Sequence, residues 1–292
     1  MSSDTAIMGL EGLEESHADV NGVRLHYVEA GSGPLVVLLH GFPEFWYCWH
    51  HQIPLLAAAG FRVVAPDMRG YGLSEKPSGA RAYDAEPLAG DVAALIRHLG
   101  AERAHVVGHD WGATVAYLTA MEHPDVLDRL VIIQSPHPAR MLAALKTAHQ
   151  LRKSWYMLFF QLPRLPEALM RRDDFAFMKR SLRAGSPGVF SDEDLVRYAE
   201  AWSQPGALTG MVNYYRAALR QSPRRTLARM SPIDCPVLVI WGERDQYLGP
   251  ELAAPEPRWV SNVRVERLPE ASHWVQNDSP ERVGELLLEF LS

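Results

Sequence analysis

The chain has 292 residues, of which 47% are hydrophobic and 22% charged, so it can bury the core of one large globular domain or of one domain with an insertion. Its formal net charge of −6 argues against nucleic acid or an anionic membrane surface as a main partner. Residues 1–15 lack the segments of a secretory signal, and no apolar run approaches the roughly 20 residues that span a bilayer. We expect a cytoplasmic protein, with Cys48 and Cys235 as buried thiols outside any disulfide or zinc site.

After an irregular tail over residues 1–13, the first half of the chain alternates between predicted strands and helices. The run over residues 34–40 is nearly all Leu and Val, which is typical of a strand buried on both faces. The predicted strands cover residues 17–20, 23–29, 34–40, 61–65, 104–107 and 130–134, and the helices residues 49–59, 85–99 and 113–123. This order predicts a parallel, doubly wound sheet after an antiparallel start.

Residues 137–229 break this alternation. They contain helical and loop segments rich in aromatic residues, Met and Arg, without a convincing strand. Strand character returns at residues 236–241 and 263–268, and a closing amphipathic helix covers residues 280–291. The chain is therefore predicted as an eight-stranded α/β core, residues 1–136 and 230–292, with an inserted helical cap over residues 137–229.

The segment Gly108-His109-Asp110-Trp111-Gly112 joins a predicted buried strand to a helix. A strand, a tight turn between glycines and a helix are the context of a nucleophile elbow, whose usual pattern is G-x-S-x-G. Here the central residue is Asp110, which at a helix N-terminus is favoured in its ionised form. The alternative is that Asp110 merely caps the helix.

A carboxylate at this position favours a particular chemistry. Its attack on an ester or amide carbonyl would give a high-energy anhydride, whereas attack on a saturated carbon with a leaving group gives an ordinary ester on the enzyme. Water must then hydrolyse that ester, which requires a general base and an oxyanion hole. Asp110 therefore argues against esterase and peptidase activity.

Candidates for the base and its acid follow the last two predicted strands. Asp245 comes after the first of these strands and His273 after the second, and nucleophile, acid and histidine stand in the chain order of α/β-hydrolases. His273 would activate water while Asp245 fixes its tautomer. Glu243 is the rival acid, and His273 alone could be an ordinary histidine. The loop after the third strand supplies the N–H of Phe42 as one oxyanion donor, and Trp111 supplies the other.

Several segments together resemble the soluble epoxide hydrolases of the α/β-hydrolase fold. They are His40-Gly41-Phe42-Pro43-Glu44, Trp46-Tyr47 and Trp49, Pro66-Asp67-Met68-Arg69-Gly70-Tyr71-Gly72, the elbow, and Gly242-Glu243-Arg244-Asp245. The similarity runs from about Val20 to the C-terminus, although haloalkane dehalogenases share the elbow. Gln134 and Ser135 stand where some relatives keep their acid, which leaves Asp245 as the candidate. The resemblance implies catalysis without metal or organic cofactor and a role in detoxification.

The family places two tyrosines in its cap to donate to the epoxide oxygen. Tyr156, before an apolar-Phe-Gln stretch, and Tyr215, in Asn213-Tyr214-Tyr215-Arg216, match those positions. A phenol, with a pKa of about 10, is a suitable acid for a more basic alkoxide. The alternative is that these rings only pack cap helices.

The sequence thus predicts an enzyme that converts an apolar epoxide to a vicinal diol through an ester on Asp110. Trp111, Trp155 and Phe159 are the predicted substrate-binding residues. Two alternatives stay open: a haloalkane dehalogenase with the same triad and the Trp111 indole as halide donor, and a non-catalytic ligand-binding member of the fold. The physiological epoxide is open, and so is the oligomeric state, for which a homodimer is a candidate.

Overall fold

The computed structural model describes residues 10–292. Residues 1–9, part of the predicted tail, lie outside the described residues. All eight predicted strands form one sheet in the order β1-β2-β4-β3-β5-β6-β7-β8, so the predicted fold is confirmed. The strands are β1 Glu14–Val20, β2 Val23–Gly31, β3 Leu35–Leu39, β4 Arg62–Pro66, β5 Ala104–His109, β6 Leu127–Ile133, β7 Val237–Gly242 and β8 Val263–Leu268.

The sheet is antiparallel at its start and parallel from β4 to β8. β2 pairs antiparallel with both β1 and β4, and every later pair is parallel. Since β3, β5 and β7 are buried along their whole length, helices cover both faces there. The register pairs Leu39 with Gly108, His109 with Ile133, and Gly242 with Leu268. The carboxyl ends of these parallel strands therefore meet at one edge, where the loops that carry the candidate residues begin.

Five α-helices belong to the parts of the chain that flank or follow the strands. They are α1 Gln52–Ala58, α2 Ala85–His98, α3 Trp111–Glu122, α11 Val275–Asp278 and α12 Pro280–Leu291. The predicted helix over residues 49–59 is wrong at its start, because residues 46–49 form a 3₁₀ turn and α1 begins only at Gln52. Proline is tolerated only in the first turn of a helix, and Pro54 is the third residue of α1.

Seven helices lie between β6 and β7, and within residues 10–292 no strand lies there. They are α4 Pro138–Ala144, α5 Ala148–Lys153, α6 Trp155–Phe159, α7 Leu165–Gly185, α8 Asp192–Ser203, α9 Ala207–Arg220 and α10 Pro223–Ala228. The division into core and cap at residues 137 and 230 stays a prediction.

Helix α9 is seated directly on the loop that follows β4. A Cβ added at Gly210 would lie 2.4 Å from the carbonyl oxygen of Gly70, so only glycine permits this approach. Beside it, the Tyr214 hydroxyl donates to the carbonyl of Arg69 at 2.8 Å. These two contacts hold α9, the helix that carries Tyr215, against the loop after β4.

The structure also bears on the predictions for the two cysteines and for a membrane-spanning helix. Cys48 is a buried free thiol as expected, whereas Cys235 is only half-buried, because it precedes β7 in a turn near the surface. Across residues 10–292, no helix has both the length and the apolar character that crossing a membrane requires.

Candidate active site

Asp110 lies in the turn between β5 and α3 with a backbone conformation that is strained for a non-glycine residue, φ 49° and ψ −116°. The turn is so tight that a Cβ on Gly108 would lie 2.5 Å from the carbonyl oxygen of Gly112. A Cβ on Gly112 would in turn lie 2.2 Å from the Leu39 carbonyl oxygen. The two glycines thus allow the strand–helix approach that lifts the Asp110 carboxylate above the sheet edge.

One oxygen of the carboxylate is held by the loop after β3. The N–H of Phe42 donates to Asp110 Oδ1 at 2.8 Å, and the Phe42–Pro43 peptide is cis. His40 holds this loop from behind, since its Nε2 accepts the N–H of Met68 at 2.9 Å. Trp111 is the first residue of α3, so its N–H has no acceptor within the helix. The two predicted oxyanion donors therefore flank the nucleophile.

The other oxygen faces the predicted base. His273 Nε2 lies 3.6 Å from Asp110 Oδ2, and its Nδ1 lies 2.7 Å from Asp245 Oδ2. The second Asp245 oxygen accepts the backbone N–H groups of Tyr247 and Leu248. The rival acid, Glu243, instead pairs with Arg267 at the surface. The structure thus brings Asp110, His273 and Asp245 together.

Burial and charge act in opposite directions on these three groups. Burial disfavours the imidazolium, but the charges of Asp245 and Asp110 on either side raise the pKa of His273 well above its ordinary value. Burial would likewise raise the pKa of Asp110, yet the nearby charge of His273 and the N–H of Phe42 hold it below its usual range. The pKa of Asp245 is lowered for the same reason. The two carboxylates on either side therefore favour the protonated form of His273 in the resting site.

Gln134, the residue after β6, is the part of the site that sequence reasoning missed. Its Nε2 donates to Asp245 Oδ2 at 2.7 Å, the same oxygen that His273 contacts, and its Oε1 accepts the N–H of Gly242 at 2.6 Å. The side chain is fully buried, and the backbone has φ 49°. The only signal in the sequence was the position itself, at a strand end beside β7. Gln134 positions the carboxylate that orients His273.

We expect Gln134→Leu to slow hydrolysis of an ester intermediate about 10- to 100-fold, because a hydrogen bond to a charged group is worth about 1.5–3 kcal/mol. Formation of the ester should change much less. Rapid-quench measurement of the two steps separates them. Gln52→Leu is the matched control, since Gln52 is also buried but bonds to the Gln276 carbonyl. If Gln134→Leu slowed both steps equally, or if Gln52→Leu slowed hydrolysis as much, Gln134 would have only a packing role.

A second buried pair supports the loop that carries His273. His109 Nδ1 lies 2.7 Å from Glu44 Oε2, and His109 Nε2 lies 2.9 Å from the carbonyl oxygen of His273. Gln276 also reaches the Glu44 carboxylate from α11, at 3.3 Å. The pair therefore ties the loop after β3, the elbow and the loop after β8 to one another.

The two predicted tyrosines face each other above Asp110, Tyr156 from α6 and Tyr215 from α9. Their ring centroids are 5.7 Å apart at 83°. Burial raises the pKa of both hydroxyls well above 10, and the charge of Asp110 adds to this at each. Both are therefore protonated donors at any physiological pH. Tyr214, which could be confused with Tyr215 in the sequence, has its hydroxyl taken by the Arg69 carbonyl.

Two cavities meet at these groups, and Asp110, His273 and both tyrosines line each of them. The larger, of about 200 Å³, extends past Trp111 and Tyr214 between α4 and α9. The smaller, of about 80 Å³, is walled by side chains of the loop after β3, α7 and the loop after β8, namely Phe42, Met170, Phe177, Met178 and Trp274. The walls of both are mostly apolar. Within residues 10–292, no cluster of three or more His, Cys, Asp or Glu is placed to hold a metal.

Two of the predicted substrate-binding residues do not line these cavities. Trp155 is 58% exposed, and Phe159 packs against it with ring centroids 6.1 Å apart. Residues four apart share one face of a helix, so Tyr156 and Phe160 point to the site while Trp155 and Phe159 point away. Phe160 lines the smaller cavity and Met157 the larger one. Trp111 does line the larger cavity, as expected.

Comparison with known proteins adds independent evidence. A sequence model of the alpha/beta hydrolase fold family matches residues 34–280. The chain is 42% identical to the AB hydrolase superfamily protein YfhM of Bacillus subtilis, over 97% of this chain and 99% of that protein. It is 38% identical to epoxide hydrolase 4 of Mus musculus, over 93% and 77% of the two chains. The structure matches that of a Bacillus megaterium epoxide hydrolase with a TM-score of 0.87 and 33% identity, covering 94% of this chain and 99% of that one.

Proposed function

The chain belongs to the epoxide hydrolases of the alpha/beta hydrolase family, and we propose that it converts an apolar epoxide into a vicinal diol through an ester formed on Asp110. The observation that carries this proposal is the placement of the Asp110 carboxylate beside His273 and near two protonated tyrosines, where two apolar cavities meet. A nucleophile, a base and acids for an alkoxide are thereby within reach of one small molecule.

In the first step, Asp110 Oδ2 attacks an epoxide carbon while Oδ1 stays on the Phe42 N–H. A carbon–oxygen bond forms on the enzyme as the ring carbon–oxygen bond breaks. The electron pair moves to the former ring oxygen, which takes a proton from Tyr156 or Tyr215. Because burial keeps both phenols neutral, each can polarise the ring oxygen before it receives the charge.

In the second step, His273 removes a proton from water, and the hydroxide attacks the Asp110 carbonyl carbon. Negative charge develops on Oδ1, where the N–H groups of Phe42 and Trp111 stabilise it. Collapse breaks the bond between the Asp110 carbonyl carbon and the substrate oxygen, which takes the remaining proton of the water, so the diol leaves and the oxygen of water stays on the Asp110 carboxylate. Asp245 stabilises the imidazolium that forms, since it contacts His273 Nδ1 at 2.7 Å.

The pKa of His273 determines the order of the two steps. Before reaction, two carboxylates hold the imidazole protonated. The ester removes the charge of Asp110, so the pKa of His273 falls and its proton restores the tyrosine that gave its own proton to the ring oxygen. The base therefore becomes available only once there is an ester to hydrolyse.

We expect Asp110→Asn to lower the pKa of His273, because a neutral amide removes one of the two charges that raise it. An NMR titration of the His273 imidazole in wild type and variant measures the shift. Asp128→Asn, at the exposed start of β6, changes the net charge equally and is the control. A pKa equal to that of wild type in Asp110→Asn would refute the proposed order.

The cavities also favour a class of substrate. Since two apolar arms of unequal volume meet at Asp110, the site suits epoxides with a larger and a smaller apolar substituent. The larger substituent would lie between α4 and α9. A cytoplasmic location and a role in detoxification fit such substrates and belong to the same proposal.

The function is tested with parallel panels of aryl and alkyl epoxides and of haloalkanes of matched size. We expect diol formation on the epoxides and no halide release, because Tyr156 and Tyr215 donate to an oxygen. Halide release without diol formation would assign the chain to the dehalogenases. Tight binding of epoxides without turnover of any would assign it to the non-catalytic members of the fold.

A further inference from the structure

Large apolar side chains are exposed on one part of the molecule far more than elsewhere. Of the twelve that are exposed among the described residues, seven lie between residues 151 and 177. Five of them lie on α6, in the turn after it and at the start of α7, with 41–65% of each side chain exposed; these are Trp155, Leu158, Leu162, Leu165 and Leu169, here named the apolar strip. A concentration of exposed large apolar side chains of this kind marks an interaction site.

The same segment is basic in an acidic protein. Residues 151–180 contain seven Lys or Arg and three Asp or Glu, a net charge of +4, so the remaining chain carries −10 of the total of −6. The exposed members are Arg152, Arg164, Arg171, Arg172 and Arg180, here named the basic rim. Among the described residues, only Arg172 of the rim forms an ion pair, with Asp173. The acid nearest the strip, Glu167, is held by Arg216 at 2.7 Å.

We propose that the apolar strip and basic rim form a surface that binds an anionic lipid bilayer. Exposed Trp and Leu flanked by Arg are typical of an interfacial segment, whose apolar side chains enter the bilayer boundary while the cations contact anionic headgroups. A second copy of the chain is the less favourable occupant, since a symmetric contact through this surface would place two basic rims against each other.

The proposed surface continues into the cavity system. Phe177, which is 48% exposed, also lines the smaller cavity beside Met170 and Phe160. An apolar epoxide dissolved in a bilayer would thus meet the mouth of the smaller arm without crossing water. This consequence rests on the proposed function, whereas the binding of vesicles does not.

The test measures binding of the full chain to vesicles of phosphatidylglycerol and phosphatidylcholine, and to vesicles of phosphatidylcholine alone, by flotation. We expect binding to the anionic vesicles that weakens at about 0.5 M salt, because exposed charges are screened there. Leu158→Asp with Leu165→Asp, and separately Arg164→Glu with Arg171→Glu, should each lower the partition coefficient about tenfold or more. Leu73→Asp and Arg81→Glu, exposed residues of the core, are the matched controls and should bind as wild type does.

Turnover of a water-soluble epoxide by each variant at wild-type rate shows that the fold and the site are intact, so a loss of binding is then specific to the surface. Wild-type protein that does not bind anionic vesicles overturns the proposal. So does binding that the controls lose equally. A dimer in light scattering that Leu158→Asp with Leu165→Asp converts to a monomer, without vesicle binding, would assign the surface to a second copy.

Discussion

A His273→Gln variant mixed with styrene oxide is expected to carry one substrate mass on the peptide that contains Asp110. The first step needs only the carboxylate and the tyrosines, whereas hydrolysis of the ester needs a base at 3.6 Å from Asp110 Oδ2. Glutamine keeps a polar side chain of similar reach but cannot accept the proton of water. Steady-state turnover should fall by about 10³-fold or more, since general base and triad residues contribute at that level.

Intact-protein and peptide mass spectrometry measures this adduct. Asp110→Ala combined with His273→Gln should give no adduct, which places the ester on Asp110 and not on a neighbouring carboxylate. His51→Gln, at an exposed histidine outside the two cavities, should turn over as wild type does. An unmodified Asp110 peptide in His273→Gln, together with substantial diol formation, would contradict covalent catalysis.

Replacing Tyr156 and Tyr215 by Phe is expected to have a comparably large effect, on formation of the ester. Each single change should lower the rate of ester formation about 10²-fold and the double change about 10⁴-fold, because a positioned general acid contributes in that range and either phenol can partly serve alone. Hydrolysis of the ester should change little, since His273 and Asp245 are untouched. Single-turnover experiments that follow both ester and diol distinguish the two steps.

Tyr214→Phe is the matched control for this pair. Its hydroxyl donates to the Arg69 carbonyl, so its loss should lower the free energy of unfolding by about 1 kcal/mol and leave ester formation near the wild-type rate. If the double variant of Tyr156 and Tyr215 still forms the ester within a few-fold of wild type, these tyrosines only pack the cap. If the double variant loses diol formation while releasing halide from haloalkanes, the result supports the role of the two tyrosines as donors to an epoxide oxygen.

Much of the fold could be predicted because its signals are local. Strands β3 and β7 consist of apolar residues and one glycine, and buried parallel strands are typically such continuous apolar runs. The turn at Asp110 requires Gly108 because of its sequence neighbours Gly112 and Ala113, whereas Gly112 is required by the approach of Leu39 from another strand. The start of α1 was harder, since Pro54 shifts a helix boundary without changing the apolar pattern around it.

Site residues that come directly after a strand could be predicted. Site residues whose role depends on a contact with a distant segment could not. Asp245 and His273 follow the ends of adjacent strands, so their proximity was expected from strand order. Gln134 reaches Asp245 across 111 positions of sequence, and nothing near it indicates that contact. Phe159 and Phe160 are the same residue type, and only the orientation of α6 in the cap determines which one faces the cavity.

The sequence by itself thus determined the strands of the core, the turn that carries Asp110 and the chemistry open to a carboxylate there, because burial, tight turns and functional groups are properties of residues and their neighbours. Only the tertiary structure decided which acid meets His273, which cap aromatics enclose the cavity and where charge gathers on the surface. The net charge of −6 averages over a basic segment that lies in one place. Contacts between distant segments depend on packing directions that no local pattern specifies.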